Sequence, residues 1–233
     1  MNYPSYIIML SIKNIQWLLL LILLIIGWLY YLQITEEHFG NIKNTDQKVL
    51  NEIIQMLKVT DKILLRNRIL YWIDGGTLLG AVRHSGIIPW DDDADICIAK
   101  ENENRFYNLK REFNRLGYDI SRFLCGYKIF PIGGQHIPGK VYKFPFIDVF
   151  IVDKFNDKYT YVSERCRKIW PNAYNKINDL FPLKRVKFNN ITLNSPNNPI
   201  SYLDRYYGNW RKVAYKNYDH SKEQIIQSVT MQL

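Results

Sequence analysis

Two short runs constrain this chain most, because each carries charge into an apolar strand pattern. Asp91-Asp92-Asp93-Ala94-Asp95 opens directly into Ile96-Cys97-Ile98, and the apolar run at 144–152, FPFIDVFIV, has a single charge in its middle, Asp148. Side chains two apart on a strand project to one face, about 7 Å apart along the chain. Asp93 and Asp95 therefore point together, while Ala94 and Ile96 point the other way. A lone carboxylate inside a hydrophobic strand is costly unless it is paired, protonated or metal-bound. Alone, the acidic triplet reads as a solvated turn. With Asp148 it reads as three aspartates on two adjacent strands, a hard-oxygen site for one or two Mg2+ or Mn2+ ions.

The glycines come just before. Residues 68–73, RILYWI, have the pattern of a short strand, and Asp74-Gly75-Gly76-Thr77 turns it into a helical segment at 78–84, with Gly86 placed as its C-terminal stop. Glycine lets backbone come close to a ligand, and the N–H groups at a helix N-terminus suit phosphate oxygens. The spacing matches neither the Rossmann nor the Walker pattern, and an ordinary strand-to-helix turn has the same look.

Taken together, DGGTLLGAVRHSGIIPWDDDADI, FPFIDVFIVD and YLDRYYGNWR resemble the LicD family of the nucleotidyltransferase superfamily, which includes bacterial phosphocholine transferases and the eukaryotic fukutin and fukutin-related proteins. The resemblance extends from about residue 50 to residue 211. It implies an α+β nucleotidyltransferase-like fold, a mixed β-sheet packed by helices. It implies catalytic and metal-binding roles for Asp93, Asp95 and Asp148, with Asp148 as a further candidate for general base, and donor or phosphate contacts for Gly75, Gly76, Thr77, Arg83 and His84. The implied reaction moves a phospho-alcohol, such as phosphocholine or ribitol phosphate, from a CDP-alcohol donor to a sugar hydroxyl of a glycan or glycoconjugate acceptor. Two alternatives stay open: a nucleotidyltransferase that moves a nucleoside monophosphate, and a non-catalytic, membrane-tethered glycan-binding protein. Arg83 and His84 also suit a helix C-terminus stabilised by positive charge. Lys128, Lys140 and Lys143, in the segment before the third aspartate, have a place along the cleft open to them, but lysines in such a segment usually read as solvated and stay outside the candidate site.

Residues 15–34, IQWLLLLILLIIGWLYYLQI, carry no charge and match the ~20 residues that a helix needs to cross a bilayer. Aromatic residues lie toward both ends, where they favour the interface, and no small-x-small cleavage site follows. The expected organisation is a tail, transmembrane anchor and short stem over 1–37, with the catalytic domain over 38–233. Lysines flank the apolar run almost evenly. The resemblance to lumenal eukaryotic members points to a single-pass type II protein with its catalytic domain in the ER or Golgi lumen and Asn190-Ile191-Thr192 as a glycosylation acceptor.

The formal net charge is +9, and a basic domain attracts anionic partners. With no RRM signature, zinc finger or arginine-rich arm, a nucleic-acid partner is not expected. Three cysteines fit neither a disulfide scaffold nor a zinc pattern; Cys97 reads as a core residue, and a Cys125–Cys166 bridge stays open. The remainder is scaffold. Asn44 and Gln47 suggest a capping box ahead of a helix running through Val49 to Ile63. A helix at 163–170 is halted by Pro171, and a hairpin at 186–193 centres on Asn189-Asn190. A last helix at 199–207 turns Tyr202, Leu203 and Tyr206 inward as a C-terminal clasp.

Overall fold

The computed structural model describes residues 15–29 and 42–233. Residues 15–29 form a helix, α1, whose side chains are all exposed. No helix among the described residues is long and apolar enough to cross a membrane. Of the expected span at 15–34, residues 15–29 are described and are helical. Its last five positions, and the domain boundary at 37/38, lie outside the described residues.

Helix α2 (Gln47–Arg66) is capped by Asp46, whose carboxylate accepts the Lys48 N–H at 2.8 Å. Asp46 thereby replaces the expected Asn44 cap. Leu50, Ile53, Met56, Leu57, Ile63 and Leu64 recur at helical spacing and are buried, the stripe that docks a helix on a sheet. Arg68 then turns at φ 52°, so the expected strand at 68–73 shortens to β1 (Tyr71–Ile73).

Helix α3 (Gly75–His84) follows, then β2 (Ala94–Ala99), α4 (Glu103–Tyr107), α5 (Lys110–Arg115) and the antiparallel pair β3 (Tyr118–Phe123) and β4 (Gly126–Pro131). The expected strand at 144–152 is interrupted at Pro145, which has no N–H for a ladder. It becomes β6 (Lys143–Phe144), paired with β5 (Gln135–His136), and the long β7 (Ile147–Phe155). Next come β8 (Lys158–Tyr161), α6 (Glu164–Ile169, capped by Ser163, within the expected helix at 163–170), β9 (Tyr174–Lys176) and α7 (Ile177–Leu180). The expected hairpin is β10 (Lys184–Phe188) with β11 (Ile191–Ser195), followed by α8 (Ile200–Tyr207) and a second hairpin, β12 (Val213–Asp219) with β13 (Gln224–Gln232).

The central sheet runs β1-β2-β7-β4-β3, with β8 and β9 extending it beside the far half of β7. Among the described residues, only β2 and β7 pair in parallel in this sheet, and its other pairs are antiparallel. This is the mixed sheet of the expected α+β class. Strand alternation sorts its side chains into two cores. Tyr71, Ile73, Ile96, Ile98, Val149 and Ile151 face the large core with α2 and the β10–β11 hairpin. Trp72, Cys97, Phe150 and Val152 face a smaller core with Tyr161 and Leu180. There Cys125 and Cys166 form a disulfide with Cα atoms 6.0 Å apart.

Candidate active site

Asp95 stands on the Cys97 side of β2, and the Gly-Gly turn holds it. The Asp74 N–H bonds to the Asp95 carbonyl at 3.1 Å. The Asp95 N–H is donated to Thr77 Oγ1 at 2.7 Å, and the Gly76 N–H to Asp95 Oδ2 at 2.9 Å. Gly75 turns at φ +49°, and a Cβ there would collide with the Asp95 carboxylate; one on Gly76 would lie 2.6 Å from Asp91 Oδ2. Close approach of carboxylates to backbone is what requires these glycines. At the other end of α3 the left-handed residue is Ser85, φ 55°, rather than the expected Gly86, whose Cβ position is taken by the side chain of Asn189.

The parallel register places Asp95 opposite Asp148, so both project from the same face of the sheet. Asp93 joins them from just before β2, and the three carboxylates offer oxygens within 4.8 Å of one another. All three are raised from the usual carboxylate range. Burial drives Asp95 well up, with Asp93 and Asp148 adding like charge. Asp93 rises to about 8 through burial, against the pull of His220 and with repulsion from Asp91 and Asp148. Asp148 rises through burial, opposed by Lys128. Asp74, buried beneath the turn, rises to about 6 for the same first reason, against hydrogen bonds from Cys97, Asn175 and Tyr202. Crowded, buried, all-oxygen donors suit a hard divalent cation, whose charge would relieve this repulsion.

Two cationic side chains outside the candidate site read from the sequence meet these carboxylates. Lys128, expected to be solvated, is only 4% exposed and lies across from Asp148 in the β4–β7 register. Its Nζ is 2.7 Å from Asp148 Oδ1 and 3.7 Å from Glu223 Oε1. The rings of Phe146, Tyr142 and Phe123 surround it, that of Phe146 at 3.4 Å, a cation–π setting. A signal was available: Lys128 interrupts an apolar strand just as Asp148 does. His220 gave none. It reaches the site from the turn of the β12–β13 hairpin, with Nδ1 2.7 Å from Asp92 Oδ1 and Nε2 3.2 Å from Asp93 Oδ2. Burial lowers its pKa, but Asp93, Asp92 and Asp91 outweigh that and hold it up to about 10.

These groups open into a cavity of about 1100 Å³ lined also by Gly75, Gly76, Arg83 and Lys140. Tyr202, Tyr206, Tyr207 and Trp210 form part of its wall, so α8 and the residues after it shape the site as well as clasping the core. Arg83 donates to the Trp210 carbonyl at 2.9 Å, and burial lowers its pKa. His84 packs edge-on against Trp90 with ring centroids 5.5 Å apart. Neither His84 nor Thr77 lines the cavity; Thr77 serves it by fixing Asp95. Lys143 turns away to the Ile132 carbonyl.

Residues 68–198 match the family described as LicD/FKTN/FKRP, nucleotidyltransferase domain. An uncharacterised protein of Rickettsia typhi is 36% identical over 222 residues, covering 91% of this chain and 66% of that protein. Lipopolysaccharide cholinephosphotransferase LicD of Haemophilus influenzae is 37% identical over 97 residues, 38% of this chain and 37% of LicD. Human ribitol 5-phosphate transferase FKRP is 56% identical over 40 residues, 17% of this chain and 8% of FKRP. The chain thus spans about two thirds of the rickettsial relative and much smaller shares of the other two.

Proposed function

From the chain's membership of the LicD/FKTN/FKRP family, we propose that it is a metal-dependent phosphotransferase that moves a phospho-alcohol from a CDP-activated donor to a sugar hydroxyl of a glycan. The observation that carries this reading is the convergence of Asp93, Asp95 and Asp148 within 4.8 Å at a cavity large enough for a nucleotide-sized ligand. Relatives named for choline phosphate and ribitol phosphate transfer support the class of group transferred.

In this reading Asp93, Asp95 and Asp148 hold Mg2+ or Mn2+, which when bound supplies charge stabilisation to a transferring phosphoryl group. The rest falls to the chain. The Gly76 N–H and Thr77 hydroxyl fix Asp95, so its carboxylate costs little reorganisation when donor enters. Arg83 presents a guanidinium at the cavity wall for donor phosphate oxygens. Asp148 accepts the proton of the attacking hydroxyl, and Lys128 steadies it. Tyr206, Tyr207 and Trp210 give flat faces for the donor base or the acceptor sugar. Membrane attachment through the exposed apolar helix at 15–29 belongs to the proposal, with a lumenal side expected from the eukaryotic members. Asn190 is exposed on its hairpin turn, and a shift in mobility after glycosidase treatment would support that side.

The test is release of CMP by the purified protein from a panel of CDP-linked alcohols with Mn2+ or Mg2+ and a glycan acceptor. CMP release that depends on acceptor and metal supports the reading. Pyrophosphate release from a nucleoside triphosphate would favour nucleotidyl transfer instead, and glycan binding without turnover would sink both.

A further inference from the structure

We propose, resting on the phosphotransferase reading, that the β12–β13 hairpin is part of the catalytic centre and that His220 at its turn is a positioning residue for Asp93. The hairpin begins at Val213, beyond the family-matched residues 68–198. Yet it is fastened onto the site at three places. Lys216 Nζ donates to the Trp90 carbonyl at 2.6 Å. His220 meets Asp92 and Asp93. Glu223 accepts from the Tyr142 hydroxyl at 3.0 Å and lies 3.7 Å from Lys128.

The imidazole is held independently of Asp93. Its Nδ1 meets Asp92 Oδ1 at 2.7 Å, its own backbone N–H is donated to Asp92 Oδ2 at 3.3 Å, and the rings of Phe146 and Tyr218 pack against it at 5.7 and 4.8 Å. That leaves Nε2 aimed at Asp93 Oδ2 from 3.2 Å. A carboxylate has two oxygens. His220 takes one, and the other remains for the cation shared with Asp95 and Asp148. Such outer partners of metal-binding carboxylates typically contribute 10–100-fold to affinity. A rival role is that of a stand-in cation, which a bound metal would displace. The two differ in sign: removing a positioning residue weakens metal binding, and removing a stand-in strengthens it.

The experiment is an equilibrium Mn2+ titration of the full chain, comparing wild type with His220→Ala, His220→Gln, Lys216→Met and Asp95→Asn, each checked for folding by circular dichroism. His220→Ala is expected to weaken Mn2+ binding by about 10–100-fold, and His220→Gln, which restores a donor toward Asp93, to recover part of it. Lys216→Met loosens the hairpin without touching Asp93 and should lose less. Unchanged or tighter binding in His220→Ala, or a loss no larger than that of Lys216→Met, overturns the inference. A wild type that binds no Mn2+ and matches Asp95→Asn defeats the phosphotransferase reading together with it, whereas a site sensitive to Asp95→Asn but indifferent to His220 defeats the inference alone.

Discussion

The Gly-Gly turn with its aspartate strand and the C-terminal hairpin approach the same carboxylates by opposite routes. The first is local: residues 74–95 fold onto themselves, and Asp95 is held by the Gly76 and Thr77 groups fewer than twenty positions away. The second is entirely tertiary, since His220 lies 128 positions from Asp92 and meets it only because the sheet, α8 and the hairpin are already in place. A site assembled this way should respond differently on its two sides. Changes in the local block should abolish chemistry outright, while changes in the hairpin should tune it.

The largest expected effect is therefore in the local block. Asp95→Asn should reduce CMP release by about 10²–10³-fold, on the scale of losing a key electrostatic group, with the far-UV circular dichroism unchanged. Normal turnover would remove the distinction between the two regions. Gly75→Ala comes next: the position turns at φ +49° and its Cβ would strike Asp95. It should cost more than about 1 kcal/mol in a denaturant titration and displace the carboxylate. A fully active Gly75→Ala protein would show that the turn does not set Asp95.

Lys128 bridges the two regions. Lys128→Met leaves Asp148 buried without its cation, while Glu223 keeps Lys140 at 3.8 Å; breaking a buried pair costs about 3–5 kcal/mol. Part of that loss should return when Mg2+ is added, because the metal takes over Asp148. If Mg2+ restores nothing, Asp148 does not share the metal site.

A smaller effect concerns pH. In the folded protein Asp93 is held up to about 8, against about 3.9 in an unfolded chain, so the folded state binds more protons across that interval and its metal-free stability falls as pH rises from about 4 through about 8. His220 has the same sign: held up to about 10, it contributes stability that is complete below about 6.5 and lost as pH rises through 10. Metal competes with those protons. The rise in Tm caused by Mg2+ should thus be larger at pH 8 than at pH 6; equal rises would mean the carboxylates are already ionised at pH 6. The smallest effect belongs to the exposed rim of the cavity on the hairpin, where Ile225→Ser, at a side chain 83% exposed, should change stability by no more than about 0.5 kcal/mol.

This contrast also explains what could be read from the chain alone. Asp93, Asp95 and Asp148 were legible because charge inside an apolar strand is costly, and strand periodicity fixed which way each side chain would face. The same argument applied to Lys128 and was passed over, since lysines before a strand are commonly solvated. His220 and Glu223 sit in a polar turn without periodicity, so nothing local distinguishes them from solvent-facing residues. Gly75 and Gly76 were expected to approach phosphate, whereas their immediate neighbours are the carboxylates of Asp95 and Asp91. Helix limits slipped where a competing residue was close by, as with Asp46 in place of Asn44 and Ser85 in place of Gly86.

The claim on which the rest depends is that three aspartates share one divalent cation. A calorimetric Mn2+ titration of wild type and Asp148→Asn at pH 7.5 addresses it directly, because Asp148 comes from a different strand than the other two. Saturable binding in the wild type that weakens by at least about tenfold in the variant is the predicted result, in line with loss of a group that holds the ion. Equal affinities in the two proteins would contradict it.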